Sequence, residues 1–534
     1  MSQWWKGALI YQIYPRSFKD SNNDGVGDLR GITEKLGYIA SLGVDAIWIS
    51  PFFKSPMKDF GYDISDYRSV DAMFGDIDDF KSLLKQAHQK KLKVIIDQVI
   101  SHSSDQHEWF KESRTSKHNS KADWYVWADP KPDGSAPNNW LSFFGGSAWT
   151  FDETRQQYYL HNFLTSQPDL NFHNPAVQKA QLDNLRFWLD LGVDGFRLDV
   201  ANFFFHDAQL RDNPMLADNE DTTVGVAAVN PYSKQRHIYD ISQPENITFI
   251  EKLRSLMDEY PGTTTMGELN GENALELMAD YTRGNTRLHM AYTFDLLSED
   301  ASNQHILSVV RKLESASSQG WPCWALGNHD VVRVASRWGA NKDPEHFSLA
   351  AMAMLISLHG SVCIYQGDEL GLEEAEVDFD DIVDPYGKPF WPEYKGRDGC
   401  RTPFPWSGEV GGGFSKAQPW LPLDVKHVNR SADAQQQQSN SVLNRTRQLI
   451  HWRQSHQPLV KGTLEVLDTK DNALCWIREW EGERILVVVN LAASELVLKA
   501  PLQLKEPLTG HGFNAQVSDS YITLPPYQVF YSYC

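Results

Sequence analysis

The sequence predicts an α/β protein: a closed parallel (β/α)8 barrel, a small domain inserted after its third strand, and a C-terminal antiparallel β-sandwich. Three observations carry this expectation. Short apolar runs alternate with longer segments of helical apolar spacing. Eight such runs occur, the number that closes a parallel barrel rather than leaving an open sheet. After a last helical stretch the texture changes to short strands and turns.

The eight candidate strands are Leu9–Tyr14, Ala46–Ser50, Val94–Val99, Gly195–Asp199, Thr264–Glu268, Ala291–Asp295, Cys323–Asn328 and Val362–Gln366. Helical spacing between them is clearest in Ile32–Leu42, Phe80–Gln89, Val177–Leu191 and Ile247–Tyr260. Three insertions interrupt the alternation. Ser103–Phe172, rich in Trp, Asn, Gly and Pro, reads as a small irregular domain. Phe203–Asp240 follows strand four, and Gly371–Trp406 follows strand eight. Segments this long at the catalytic end of a barrel favour a walled pocket. Beyond the helical stretch Ser441–Gln454, the runs Thr463–Val466, Ala473–Arg478, Arg484–Asn490 and Glu495–Leu498 read as strands of the sandwich. The expected division is therefore 1–102 with 173–456 for the barrel, 103–172 for the inserted domain, and 457–534 for the sandwich.

Composition narrows the function. The 534 residues, 41% apolar and 22% charged, suit a soluble globular protein with a large core. A formal charge of −20 argues against nucleic acid as a partner. No apolar run approaches the roughly 18 residues a membrane span needs, and the N-terminus lacks the pattern of a secretory signal. Five cysteines, odd in number and without metal-type spacing, fit a reducing compartment, so a cytoplasmic location is expected.

Chemistry concentrates at three strand ends. Gly195-Phe196-Arg197-Leu198-Asp199-Val200-Ala201-Asn202 closes an apolar run with a carboxylate, and Arg197 points the same way as Asp199 because strand side chains alternate. A neighbouring cation is expected to keep Asp199 ionised, as a nucleophile requires. Glu268 ends Thr263–Glu268 and Asp330 follows Trp324–His329. A lone acid at a strand end more often caps or pairs. Three of them, at the end of the barrel where active sites form, point to one assembled site. Two carboxyl groups are the usual equipment for glycosidic cleavage, and a third stabilises the charge developing on the sugar.

The motifs Asp97-Gln98-Val99-Ile100-Ser101-His102, Gly195–Asn202, Met266–Leu269, Asn328-His329-Asp330 and Gln167-Pro168-Asp169-Leu170-Asn171 occur in one order over nearly the whole chain. On them the chain resembles the α-amylase family, glycoside hydrolase family 13, in its oligo-1,6-glucosidase and α-glucosidase branch. Gln98 departs from the family's usual Leu, Val or Tyr. The resemblance implies a TIM barrel with Asp199 as nucleophile, Glu268 as general acid/base and Asp330 as transition-state stabiliser. It places Asp59 on the terminal sugar's hydroxyls, paired with Arg397, and stacks Tyr62 on the ring. His102 and His329 would bond hydroxyls of the same sugar, Arg197 would sit beside the nucleophile, and Phe144 and Phe163 would be apolar walls.

The loop Asp20-Ser21-Asn22-Asn23-Asp24-Gly25-Val26-Gly27-Asp28 alternates oxygen-bearing side chains around a glycine, as Ca²⁺ loops do, but lacks the distal Glu of an EF-hand. From the residues alone, a metal-free polar turn is an equal reading. The resemblance favours a structural Ca²⁺ or Mg²⁺ held by Asp20, Asn22, Asp24, the Val26 carbonyl and Asp28. No organic cofactor is implied.

The expected activity is retaining, exo-acting hydrolysis of short α-glucosides such as maltose, isomaltose, sucrose or aryl glucosides, with some transglucosylation. A Val directly after the nucleophile resembles α-1,6-acting members of the branch, so Val200 tilts the expectation toward α-1,6 or mixed specificity. Two alternatives share the fold: a sucrose isomerase or dedicated transglucosylase, and a non-enzymatic sugar-binding scaffold.

Overall fold

The computed structural model describes residues 3–217, 226–316, 320–339, 343–470 and 472–534. Its eight barrel strands are Leu9–Ile13, Ala46–Ile49, Lys93–Gln98, Gly195–Leu198, Thr264–Leu269, Met290–Thr293, Cys323–Ala325 and Ser361–Tyr365. They pair in parallel in chain order from the first to the sixth and from the seventh to the eighth, and the first strand also pairs with the eighth. The sixth and seventh strands meet through a bridge between Ala291 and Pro322, which closes the ring. Each of the eight sequence runs overlaps one of these strands, though Cys323–Asn328 and Ala291–Asp295 run past the strand ends at Ala325 and Thr293.

The period of two explains why the strands are apolar yet carry a polar site. Leu9, Tyr11 and Ile13 face the surrounding helices, as do Val94 and Ile96. Ile10, Ala46, Ile95, Met266, Met290 and Cys363 fill the barrel interior. Two residues further along the same inward-facing rows stand Gln12, Asp97, Glu268 and Tyr292, all buried. The interior is thus apolar at the strands' N-terminal ends and polar at their C-terminal ends.

Helices Leu29–Ser41, Ile77–Gln89 and Pro175–Leu191 belong to the outer layer. Their starts follow from capping. Asp28 accepts from Gly31 N, Asp76 and Asp79 form a capping box, and Asn174 caps a helix with Pro175 at its first position. Pro175–Leu191 ends at Gly192, whose left-handed φ of 99° suits glycine.

The first insertion holds a three-stranded antiparallel sheet, Trp127–Ala128, Gln157–Leu160 and Trp149–Asp152, over a small core of Val126, Trp140, Ala148, Trp149 and Leu160. The second insertion is irregular apart from a 3-10 turn at Pro231–Lys234, and its residues 218–225 lie outside the described residues. The third is a series of 3-10 turns.

The C-terminal region comprises a four-stranded sheet, Thr463–Val466, Leu474–Trp480, Glu483–Asn490 and Gln528–Tyr533, and a three-stranded one, Leu496–Lys499, Tyr521–Leu524 and Gln516–Ser518. Alternation again divides the labour. Cys475, Ile477, Leu486 and Val488 face the second sheet, whereas Leu474, Trp476, Ile485 and Val487 join the main core. The sandwich therefore has more strands than the sequence runs indicated: Gln516–Ser518, Tyr521–Leu524 and Gln528–Tyr533 complete it. No helix among the described residues is long and apolar enough to cross a membrane.

Candidate active site

Arg197 organises the polar end of the barrel. Fully buried, it reaches three carboxylates: Asp97 Oδ1 at 2.9 Å, Asp199 Oδ1 at 2.7 Å and Glu268 Oε2 at 2.6 Å. Strand register sets this up, because Arg197 lies level with Asp97 on one neighbour and Met266 on the other. Tyr292, level with Glu268 on the sixth strand, accepts from Arg197 Nη2 at 2.9 Å and donates to Glu268 Oε1 at 3.0 Å.

The chain turns sharply after Asp199. Val200 takes a φ of 35°, an unusual conformation for a β-branched residue. Its N–H donates to Glu268 Oε2 at 3.1 Å, and the next N–H, of Ala201, donates to the Glu268 carbonyl at 2.8 Å. Glu268 thus holds the strained turn that follows Asp199.

Asp330 sits in a second charged group. Arg401 Nη2 donates to it at 2.9 Å and Arg397 Nη1 at 3.2 Å. Arg397 also pairs with Asp59 at 2.9 Å and with Asp384 at 2.8 Å, joining the loop after strand two to the third insertion. His329 Nε2 lies 3.2 Å from Asp330 and 2.5 Å from the Tyr62 hydroxyl, and the two rings stack at 5.3 Å. His102 Nε2 contacts the Tyr62 carbonyl at 3.0 Å.

A pocket opens here. Asp59, Tyr62, His102, Phe144, Phe163, Asp199, Glu268, Asp330 and Arg397 line it, while Arg197 and His329 are fully buried beside them. All eleven non-metal candidates from the sequence therefore gather in one place. Phe143, Gln167, Val200, Phe203, Asn270, Phe294 and Tyr386 complete the lining. Asp97 and Gln167 stood within recognised motifs without a role. The alternation of strand side chains gives Asp97 the inward parity of Ile95, a signal that could have found it. Arg401 lies one helical turn past Arg397, but nothing in the sequence marks Asp384.

Burial dominates the electrostatics. It pushes Asp199 up to about 7, against the attraction of Arg197, and Glu268 up to about 7 likewise. Asp97 rises to about 6 for the same reason. The attraction of Arg197, expected to keep Asp199 ionised, is thus opposed by burial and shared among three buried carboxyls. At Asp330, burial again acts upward, but His329, Arg401 and Arg397 together outweigh it and hold the group below the usual carboxylate range. Burial lowers His102 to about 4 and His329 well below its usual value, so both are neutral hydrogen-bonding groups at pH 7.

The Asp20–Asp28 loop stands apart from this site. Asp20 accepts from the N–H groups of Asn22, Asn23 and Gly25, Asp24 accepts from Val26 N at 2.9 Å, and Asp28 caps the following helix through Gly31 N at 2.7 Å. Among the described residues, no three His, Cys, Asp or Glu side chains form a ready metal cluster.

Comparison with known proteins agrees with this geometry. Residues 12–462 match the alpha amylase catalytic domain, and residues 464–531 match the maltogenic amylase C-terminal domain. A probable alpha-glucosidase of Rhizobium meliloti (strain 1021) is 51% identical, covering 99% of this chain and 97% of its own. An oligo-1,6-glucosidase of Heyndrickxia coagulans is 36% identical over 94% of each. The crystal structure of an alpha-glucosyl transfer enzyme, XgtA, superposes with a TM-score of 0.98 at 52% identity over the full length of both chains. The chain is a glycoside hydrolase and belongs to the α-amylase family, glycoside hydrolase family 13.

Proposed function

We propose that the protein is a retaining, exo-acting α-glucosidase of short α-glucosides, with Asp199 as nucleophile, Glu268 as acid/base and Asp330 as stabiliser. The observation that carries this is the single guanidinium of Arg197 touching both Asp199 and Glu268. It gathers the two carboxyls on one cation at one end of the barrel, the pair of groups a double displacement uses as nucleophile and acid/base. Asp199 attacks the anomeric carbon while Glu268 protonates the departing oxygen, giving a covalent glucosyl-enzyme. Glu268 then removes a proton from water, which releases α-glucose. Ionised Asp330 stabilises the positive charge that develops on the ring.

The Asp59–Arg397 pair supports exo-action, since it walls the pocket beside Asp330. In this reading Asp59 and His102 bind the terminal sugar's hydroxyls, Tyr62 stacks on its ring, and Phe144 and Phe163 form the apolar wall; His329, expected to bond a hydroxyl too, is instead buried behind Tyr62 and Asp330 with both ring nitrogens engaged. A second reading, preferential glucosyl transfer, draws support from the 52% identity to a structure described as an alpha-glucosyl transfer enzyme. Both readings share every residue above and differ in whether water or another hydroxyl completes the second step.

Val200 lines the pocket and packs with Phe163, Phe203 and Ile241; in this reading it meets the leaving group or acceptor. Replacing it with Thr should raise the maltose-to-isomaltose rate ratio, by an amount equivalent to about 1–3 kcal/mol. An unchanged ratio would remove Val200 as a linkage determinant. The broader test is product chromatography after incubation with maltose, isomaltose and sucrose side by side. Free glucose as the main product supports hydrolysis; new oligosaccharides or sucrose isomers in excess support transfer; no turnover of any of the three contradicts the proposal.

For the Asp20–Asp28 loop we propose a structural Ca²⁺ or Mg²⁺. Asp20, Asn22, Asp24, the Val26 carbonyl and Asp28 offer only oxygens, the donor type hard cations take, and N–H bonds onto Asp20 and Asp24 hold the turn that presents them. Free thiols at all five cysteines accord with the proposed cytoplasmic location.

A further inference from the structure

Gln12 lies on the first barrel strand, fully buried, and is not among the residues lining the pocket. Its Nε2 sits 2.8 Å from His329 Nδ1 and 3.3 Å from Ser50 Oγ, while its Oε1 has no partner among the described residues. The amide is therefore not oriented to satisfy itself. An amide N–H facing Nδ1 makes that nitrogen the acceptor, and the neutral ring then carries its proton on Nε2.

The surroundings of the ring require that same tautomer. Nε2 faces Asp330 Oδ2 at 3.2 Å, an acceptor, and the Tyr62 hydroxyl at 2.5 Å. That hydroxyl in turn donates to Asp97 Oδ2 at 3.1 Å. A bare Nε2 would put a lone pair against the Asp330 carboxylate and draw the Tyr62 proton away from Asp97. The rings of Tyr14 and Tyr62 both stack with the imidazole, and the charges of Arg197, Arg397 and Arg401 lie nearby.

We propose that Gln12 is a positioning residue: it fixes His329 as the Nε2–H tautomer and so sets the direction of a relay from His329 through Tyr62 to Asp97 and Arg197. Arg197 is the group that also holds Asp199 and Glu268, so the relay reaches both reacting carboxyls from a residue that touches neither. The inference rests on the catalytic roles proposed above. Inactivity of Asp199→Asn and Glu268→Gln would test those roles separately, whatever Gln12 does.

The test is a double-mutant cycle between Gln12 and His329, read as kcat, KM and the pH dependence of kcat, with thermal unfolding as a folding control. Gln12→Glu places a carboxylate opposite Nδ1, which draws a proton there. Expected is a fall in kcat of up to about a hundredfold, a smaller change in KM, and a displaced pH profile. In a His329→Asn background the same substitution should change kcat by no more than about twofold. If Gln12→Glu does not fold, Gln12→Met removes the donor at similar volume and must show the same loss and the same non-additivity. A wild-type pH profile in a folded Gln12 variant, or an effect undiminished without His329, would overturn the proposal.

Discussion

Arg197 shows how little of the site's electrostatics resides in any one residue. Its guanidinium serves Asp97, Asp199 and Glu268, all of them removed from water. Replacing it with Met leaves three buried carboxyls without a cation. The expected cost is about 3–5 kcal/mol of stability, measurable by urea unfolding, together with loss of activity. Asp199 gives a prediction of opposite sense. Its pKa in the folded protein, about 7, lies above the ordinary 3.8, so ionisation favours unfolding. Its contribution is intact below about pH 4 and is lost as pH rises through about 7. Asp199→Asn should therefore be inactive yet more stable than wild type at pH 8, by roughly 1–3 kcal/mol, with the gain fading toward pH 4. A gain that grows on acidification would contradict the assignment. Asp330 runs the other way: its stabilisation is present above about pH 4 and lost as pH falls below that. The sequence placed Arg197 beside Asp199, but not the outcome of attraction against desolvation. That balance depends on how deeply the pair is buried and on how many other carboxyls share the cation.

At the scale of elements, the barrel was legible because strands buried on both faces read as continuous apolar runs. The site was legible because each polar residue breaks such a run at its C-terminal end. Less legible were elements whose signals are short or divided. Gln516–Ser518 is exposed throughout, so no apolar run marks it. Asp384 reaches the site from an irregular segment that no periodicity describes. The union of sandwich and barrel was equally hidden, since it depends on a buried arginine that reads as an ordinary charge. Arg478, on a sandwich strand, donates to the barrel carbonyls of Ser357 and Leu358 and to those of Leu459 and Gly462. Arg478→Met would strand several buried carbonyls. It should lower stability by about 2–5 kcal/mol while leaving kcat of the folded enzyme unchanged. A matching fall in kcat at temperatures well below unfolding would mean the junction also shapes the site.

For the molecule as a whole, one pocket is assembled from parts far apart in the chain. The barrel supplies the carboxyls, the first insertion supplies Phe144, Phe163 and Gln167, the second begins at Phe203, and the third supplies Tyr386 and Arg397. The Asp20–Asp28 loop is tied to the segment that follows the third insertion, where Ser415 Oγ donates to Asp20 Oδ2 at 2.5 Å. A cation bound there would brace this region without touching the chemistry. Chelation should accordingly lower the unfolding temperature by several degrees and leave kcat at moderate temperature nearly unchanged. An unfolding temperature indifferent to chelator and to added Ca²⁺ or Mg²⁺ would argue against the metal. The central claim is the covalent role of Asp199. It is tested most directly by trapping Glu268→Gln with an activated aryl α-glucoside and mapping the product by peptide mass spectrometry. The account predicts a glucosyl adduct on the peptide bearing Asp199, absent when Asp199 is Asn. Turnover without any adduct, or an adduct on another residue, would contradict it.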